Sequence, residues 1–215
     1  MGTSDLVNGK VPTTFAGVCV LVGTEPAPIF AVYPNQLNIQ IPSVTSGAST
    51  VQVKNQCGTA QEQASPAVPV TVQAASPEFF YFAHNANGQN PIAALNAVTG
   101  TYVGAPGLLP GATFTPAQTG DYLTLFATGF GTTNPSIAPG VLPTAAAAIT
   151  QPISVTVGGL ALTPAQILYA GLSQDPGLYQ LNIQLPAGVP AGNEPVIVTI
   201  GGVSSPATAF ITVAK

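Results

Sequence analysis

Charge is what this 215-residue sequence most conspicuously lacks. Three Lys or Arg and seven Asp or Glu make 5% of the chain, against the roughly 25% usual in soluble domains. Three cations cannot neutralise a phosphate backbone, so nucleic acid is not an expected partner. The same scarcity excludes a polybasic membrane patch. No run approaches the ~20 apolar residues a helix needs to span a bilayer. Met1 is followed by GTSDLVNGK, which has neither a basic n-region nor an apolar h-region. A signal peptide is therefore not expected within these residues, and a secreted protein would carry it upstream. Helix signals are also missing: 23 Gly and 22 Pro interrupt the chain too often. The alanine run Ala145–Ala148 is the best local candidate, and Pro143 and Pro152 box it in.

The residues that could carry chemistry are equally sparse. His84 is the single histidine, and the surrounding FAHNANG offers only amides as partners. No cluster supplies the four ligands zinc usually takes, so neither a metal nor another cofactor is expected. The carboxylates Asp5, Glu25, Glu62, Glu78, Asp121, Asp175 and Glu194 are scattered singly, without the local pairing that would suggest glycosidase chemistry. No G-x-S-x-G elbow presents a serine nucleophile. GLSQDPG lacks the repeated acidic positions of a calcium loop. No catalytic residue is assigned, and an enzyme is not expected.

What the chain does contain is a succession of short strands. Val18, Val20 and Val22 alternate with Cys19 and Leu21; Leu37, Ile39 and Ile41 alternate with Asn38 and Gln40. STVQV (49–53), AVPVTV (67–72), ISVTV (153–157), AQILYA (165–170), YQLNIQL (179–185), PVIVTI (195–200) and TAFITV (208–213) follow the same style. Alternation buries one row of side chains and solvates the other. Moreover, the order repeats. VCVLVG answers ISVTVG, LNIQIP (37–42) answers LNIQLP (181–186), and SPAVPVTV (65–72) answers SPATAFITV (205–213). This reads as an internal repeat of a β-sandwich unit, with a first unit over 1–75 and a second over 76–215. Residues 76–116 are expected to add strands or a hairpin at the start of the second unit.

The repeat exposes a gap. GDYLTLFATGFGTTNP puts a strong strand at Tyr122–Thr128 in the second unit, whereas the first opens with MGTSDLVNGKVPTTFAG. The first sandwich is therefore expected to lack its opening strand. Either the sequence starts after that strand, which is the simpler reading, or another segment or chain supplies it by strand addition. Pairing of residues 1–8 as a full-length first strand would remove both readings.

GDYLTLFATGFGTTNP, VTVGG, ILYAGLSQDPGLYQLNIQLPAG and VIVTIGGVSSPA resemble the secreted C-terminal repeat domain of Solibacter-type acidobacterial proteins, related to immunoglobulin-like modules of IPT/TIG type. PTTFAGVCVLV, PAPIFAVYPNQLNIQIP and NQCGTAQE resemble that family's upstream half. The resemblance implies an extracellular β-sandwich module, usually at the end of a large secreted or surface protein; with the repeat, the chain is expected to be all-β, two tandem immunoglobulin-like β-sandwiches at the cell surface or outside the cell. It implies no catalytic residues.

Four features remain as candidate sites. Cys19 and Cys57 are the only cysteines, and their counterparts Ser154 and Gly202 lack sulfur together, which suggests a disulfide; two separate buried thiols is the alternative. Lys54 stands beside Asn55, a pairing that in some surface sandwiches forms a cross-link near a buried carboxylate; a solvated strand-end lysine is the plainer reading. The run Phe79, Phe80, Tyr81, Phe82 puts two rings on each face of a strand, as a sugar-stacking platform or as core and inter-domain packing. Tyr102 and Tyr122 could serve such a platform too. The expected role is thus a non-catalytic structural, adhesive or assembly module of a surface or secreted protein, binding other extracellular proteins or itself through an open sheet edge. The alternative is a carbohydrate-binding module that holds polysaccharide on exposed aromatics. Membrane insertion is not expected.

Overall fold

A computed structural model describes residues 6–86 and 88–215. Among them the chain is built of strands, with a single 3-10 turn at Pro164–Gln166 and no α-helix. The boxed-in alanine run is not helical: its end joins a strand at Ala147–Ile149. Two compact units emerge. The first comprises Met1–Ala74 with the short excursions Ser136–Ala145 and Gln174–Gly177; the second comprises Ala75–Pro135, Ala146–Ser173 and Leu178–Lys215.

The first unit carries β1 (Thr14–Phe15), β2 (Val18–Val22), β3 (Glu25–Pro26), β4 (Ile29–Tyr33), β5 (Gln36–Ile39), β6 (Gly47–Asn55), β7 (Gln63–Ala64) and β8 (Val68–Val72). One sheet runs β1-β2-β6-β7, with β3 on β2 and β8 on β6; β4 and β5 form a separate hairpin. The valines of VCVLV face inward because alternate residues of a strand share a face. Val20, Val22, Ala27 and Ile29 are buried, and Val32, Leu37, Ile39, Val51, Val53 and Val72 pack around them only partly covered.

The second unit carries β9 (Glu78–Phe79), β10 (Asn90–Pro91), β11 (Ala94–Asn96), β12 (Tyr102–Val103), β13 (Phe114–Thr115), β14 (Tyr122–Thr128), β15 (Thr133–Asn134), β16 (Ala147–Ile149), β17 (Ile153–Val157), β18 (Leu160–Ala161), β19 (Ile167–Leu172), β20 (Tyr179–Gln184), β21 (Gly192–Ile200), β22 (Val203–Ser204) and β23 (Ala209–Val213). A nine-stranded sheet β13-β12-β11-β14-β20-β19-β16-β15, with β9 on β14, faces a six-stranded sheet β10-β23-β21-β17-β18, with β22 on β21. Between them Leu123, Leu125, Ala127, Leu181, Ile183, Val196, Val198 and Ile211 form a buried core. Both units are immunoglobulin-like β-sandwiches.

The recurring sequence segments take the same register in each unit. Val18 to Val22 oppose Asn55 to Val51, as Ile153 to Val157 oppose Ile200 to Val196. The hairpins agree down to an irregularity: the β4–β5 register shifts between Ile29 and Ala31, and the β19–β20 register between Ile167 and Tyr169. Leu37 opposite Val32 then matches Leu181 opposite Ala170. The Oγ of Ser65 accepts from the Val53 N–H, and that of Ser205 from the Val198 N–H, each at 3.1 Å. Gly47 and Gly192 open the two long strands with φ of 133° and 126°, a backbone setting that glycine adopts without Cβ strain.

The strand at Tyr122–Thr128 has no such match. In the second unit β14 lies antiparallel to β20, from Tyr122 opposite Gln184 to Ala127 opposite Tyr179. In the first unit no described strand lies beside β5 except β4. Among the described residues the first sandwich thus lacks the opening strand. Val7 and Lys10 close a turn rather than enter a long strand; the expectation for residues 1–5 lies outside the described residues.

Candidate functional site

The bare side of β5 can be located atom by atom. Pro34 and Asn35 make a two-residue hairpin turn, and Gln36 pairs with Tyr33. The Gln40 N–H donates to the Pro28 carbonyl at 2.9 Å, so Gln40, and by alternation Asn38 and Gln36, bond toward β4. The N–H and C=O groups of Leu37, Ile39 and Ile41 therefore point away from the hairpin. The counterpart strand shows what such groups do when covered: the Leu185 N–H donates to Asp121, and the Leu185 carbonyl accepts from Gly120, at 2.8 and 2.9 Å. At the far end of β5, Gln40 Oε1 accepts from the Gly140 N–H at 2.8 Å, which ties the 136–145 excursion to that corner.

The other long edge of the first unit, along β8, differs. Pro69 opposes Thr50 as Phe210 opposes Pro195, and in the second unit the Phe210 carbonyl faces outward to accept from the Ile92 N–H at 2.9 Å. Pro69 thus stands where an outward N–H would be offered and has none, a device that blunts edges. Between Gln36 and Ile41 there is no proline and no charge. Sequence reading missed Pro69. Its signal was a proline inside an otherwise regular alternation.

Cys19 and Cys57 form a disulfide, with Cα atoms 5.9 Å apart and a sequence separation of 38. Cys57 lies past the end of β6, yet Gln56 adopts φ of 51° and turns the chain back. The Cys57 N–H then reaches the Gly17 carbonyl at 3.0 Å. In the second unit Gly201, with φ of 56°, takes the same position as Gln56. Lys54 does not meet Asn55; its Nζ contacts Glu62 Oε1 at 2.8 Å. The Asn55 side chain accepts from the Gln56 N–H instead. The Gly58 N–H, then Lys54, hold the Glu62 carboxyl below its usual range.

The aromatic run is divided by the pleat. Phe79 enters the core of the second unit, while Phe80 is 46% exposed. The Tyr81 hydroxyl donates to the Glu78 carboxylate; burial, then that bond and charge, push it up to about 12. His84 is exposed and meets the Tyr81 ring edge-on at 5.2 Å. Phe82 packs edge-on against Tyr102 at 5.3 Å and Phe114 at 4.9 Å. Tyr102 and Tyr122, both 43% exposed, share one sheet face with Thr124 and Asn182, since Tyr102 opposes Leu95, Leu95 opposes Thr124, and Thr124 opposes Asn182. Phe114 went unnoticed in the sequence because its neighbours give no aromatic pattern. Among the described residues no group of three or more His, Cys, Asp or Glu could hold a metal ion. Nor does any helix reach the length and apolarity that a membrane crossing needs.

No family model matches the chain, and no curated protein matches it. Among solved structures, the chain is similar to the fibronectin(III)-like modules of CbhA from Clostridium thermocellum, at 15% identity over 95% of this chain and 81% of that one, with a TM-score of 0.25. At that score the likeness carries no argument about this chain.

Proposed function

We propose that this chain is a non-catalytic, extracellular structural module, two copies of one duplicated sandwich unit, that assembles through the bare edge of β5. The disulfide supports an oxidising, extracellular setting, in line with the resemblance to the Solibacter-type secreted repeat domain. The observation that carries assembly is the contrast between equivalent strands: among the described residues β20 is flanked on both sides, β5 on one. An uncovered, uncharged strand edge is a template for a further strand. Sedimentation of the full chain from micromolar to millimolar concentration tests it. Dimers should form and disappear in Ile39→Pro, which removes an outward N–H without removing a β4–β5 bond. A chain that stays monomeric throughout, or dimers indifferent to that substitution, would overturn self-assembly at this edge.

A second reading rests on Tyr102, half-exposed over Phe82 and Phe114 and sharing a face with Tyr122, Thr124 and Asn182. Rings beside amide and hydroxyl groups suit sugar binding. Affinity electrophoresis through soluble polysaccharides should show retardation that Tyr102→Ala abolishes. No retardation in any polysaccharide gel would rule this reading out.

A further inference from the structure

Resting on that reading of the β5 edge, we infer the nature of its occupant: one extended, uncharged peptide strand, antiparallel to β5, with apolar side chains at every second residue in the pattern Leu-x-Leu-x-Ala. It completes the core of the first unit rather than merely lengthening a sheet.

The argument starts from identity. Gln36-Leu37-Asn38-Ile39-Gln40 and Gln180-Leu181-Asn182-Ile183-Gln184 are the same five residues, folded in the same register against their hairpin partners. The second copy shows its complement directly. Leu123 lies opposite Ile183, Thr124 opposite Asn182, and Leu125 opposite Leu181. Carried to the first unit, the occupant places Leu opposite Ile39, Thr opposite Asn38 and Leu opposite Leu37.

Burial supports a missing core element. Leu181, Ile183, Val196 and Val198 are each fully buried, while their counterparts Leu37, Ile39, Val51 and Val53 are only partly so. In the second unit the space over these positions is filled by Leu123, Leu125 and Ala127, all fully buried. The first unit has the receiving half of that packing without the inserted half. The edge along β8 bears Pro69, which disfavours strand addition there. The donor is not β14 of a second folded copy, because β14 is enclosed between β11 and β20 within its own core. It is an extended segment with that alternation, free to pair.

A peptide copying Tyr122–Thr128, with two lysines appended beyond it for solubility, serves as the probe. Hydrogen exchange of the full chain is followed at single amides with and without it. With peptide at ten times its Kd, only about one edge in eleven is free at any moment, so the Leu37 and Ile39 amides should exchange about elevenfold more slowly. The amides of Leu181 and Ile183, already covered, should not change. A peptide of equal composition with its two leucines adjacent should have no effect. Ile39→Pro should lose the response to the copying peptide while the thermal transition of the second unit stays in place. Unchanged rates at Leu37 and Ile39 under millimolar peptide would overturn the inference, as would equal slowing by the rearranged peptide. Should the chain still dimerise through an edge that Ile39→Pro disables, the donor pattern alone has failed. Should Leu37 and Ile39 already resist exchange in the monomer, the edge is covered and the assembly reading falls with it.

Discussion

Removing the disulfide should fall almost entirely on one of the two units, and its size can be worked out. Cys19 and Cys57 close a loop with a separation of 38 that contains β3, β4, β5 and β6, and so most of the smaller core. On the chain-entropy relation such a cross-link stabilises by about 4 kcal/mol. That is large against the roughly 5–15 kcal/mol of a whole domain, and the core concerned has four buried residues, Val20, Val22, Ala27 and Ile29. For a domain of 60–100 residues each kcal/mol moves Tm by about 4–8 °C, so the double substitution Cys19→Ala, Cys57→Ala should lower one transition by roughly 15–30 °C. The second unit is the internal control. Its β17–β21 pair has the same register with Ser154 and Gly202 in place of the cysteines, so its transition should stay put. Differential scanning calorimetry of the full chain, with and without reductant, resolves the two. A loss below about 1 kcal/mol, or a parallel shift of both transitions, would refute the reasoning, because the cross-link would then be constraining little of the unfolded chain.

The uncovered core makes a paired prediction. Leu181→Ala should cost about 2–5 kcal/mol as a fully buried leucine, and Leu37→Ala less than half of that, measured by urea unfolding; equal costs would mean that Leu37 is covered after all. Tyr81 gives a pH dependence. Its folded hydroxyl titrates at about 12 against the ordinary 10.0, so the unfolded chain releases that proton first as pH rises. The contribution is complete below pH 10 and is lost between 10 and 12. Tyr81→Phe should flatten that decline in stability curves, and an unaltered slope would assign it elsewhere.

Alternation made much of this fold legible in advance. Tyr122–Thr128 stands as a strand over the residues that YLTLFAT marked, and the twin LNIQ segments sit at matched register because period-two burial fixes which face each side chain takes. The paired absence of sulfur at Ser154 and Gly202 pointed to the Cys19–Cys57 bond. Other features left no local trace. Nothing in residues 136–145 or 174–177 announces that they pack with the first unit; that depends on contacts such as Gly140 to Gln40, 100 residues apart. The run Phe79–Phe82 left a stacking platform and core packing both open; alternation sends Phe79 into the core and Phe82 to Tyr102 and Phe114. Lys54 found its partner in Glu62, eight residues on, because the β6–β7 turn folds back there.

The proline at position 69 has a consequence for growth. A sheet with two receptive flanks could propagate without limit, whereas here the flank along β8 is blunted. Two copies meeting through their β5 strands would be related by a twofold axis, each using the same patch, and such an isologous contact closes on itself. A β5-to-β5 contact is therefore self-limiting: it ends at a pair.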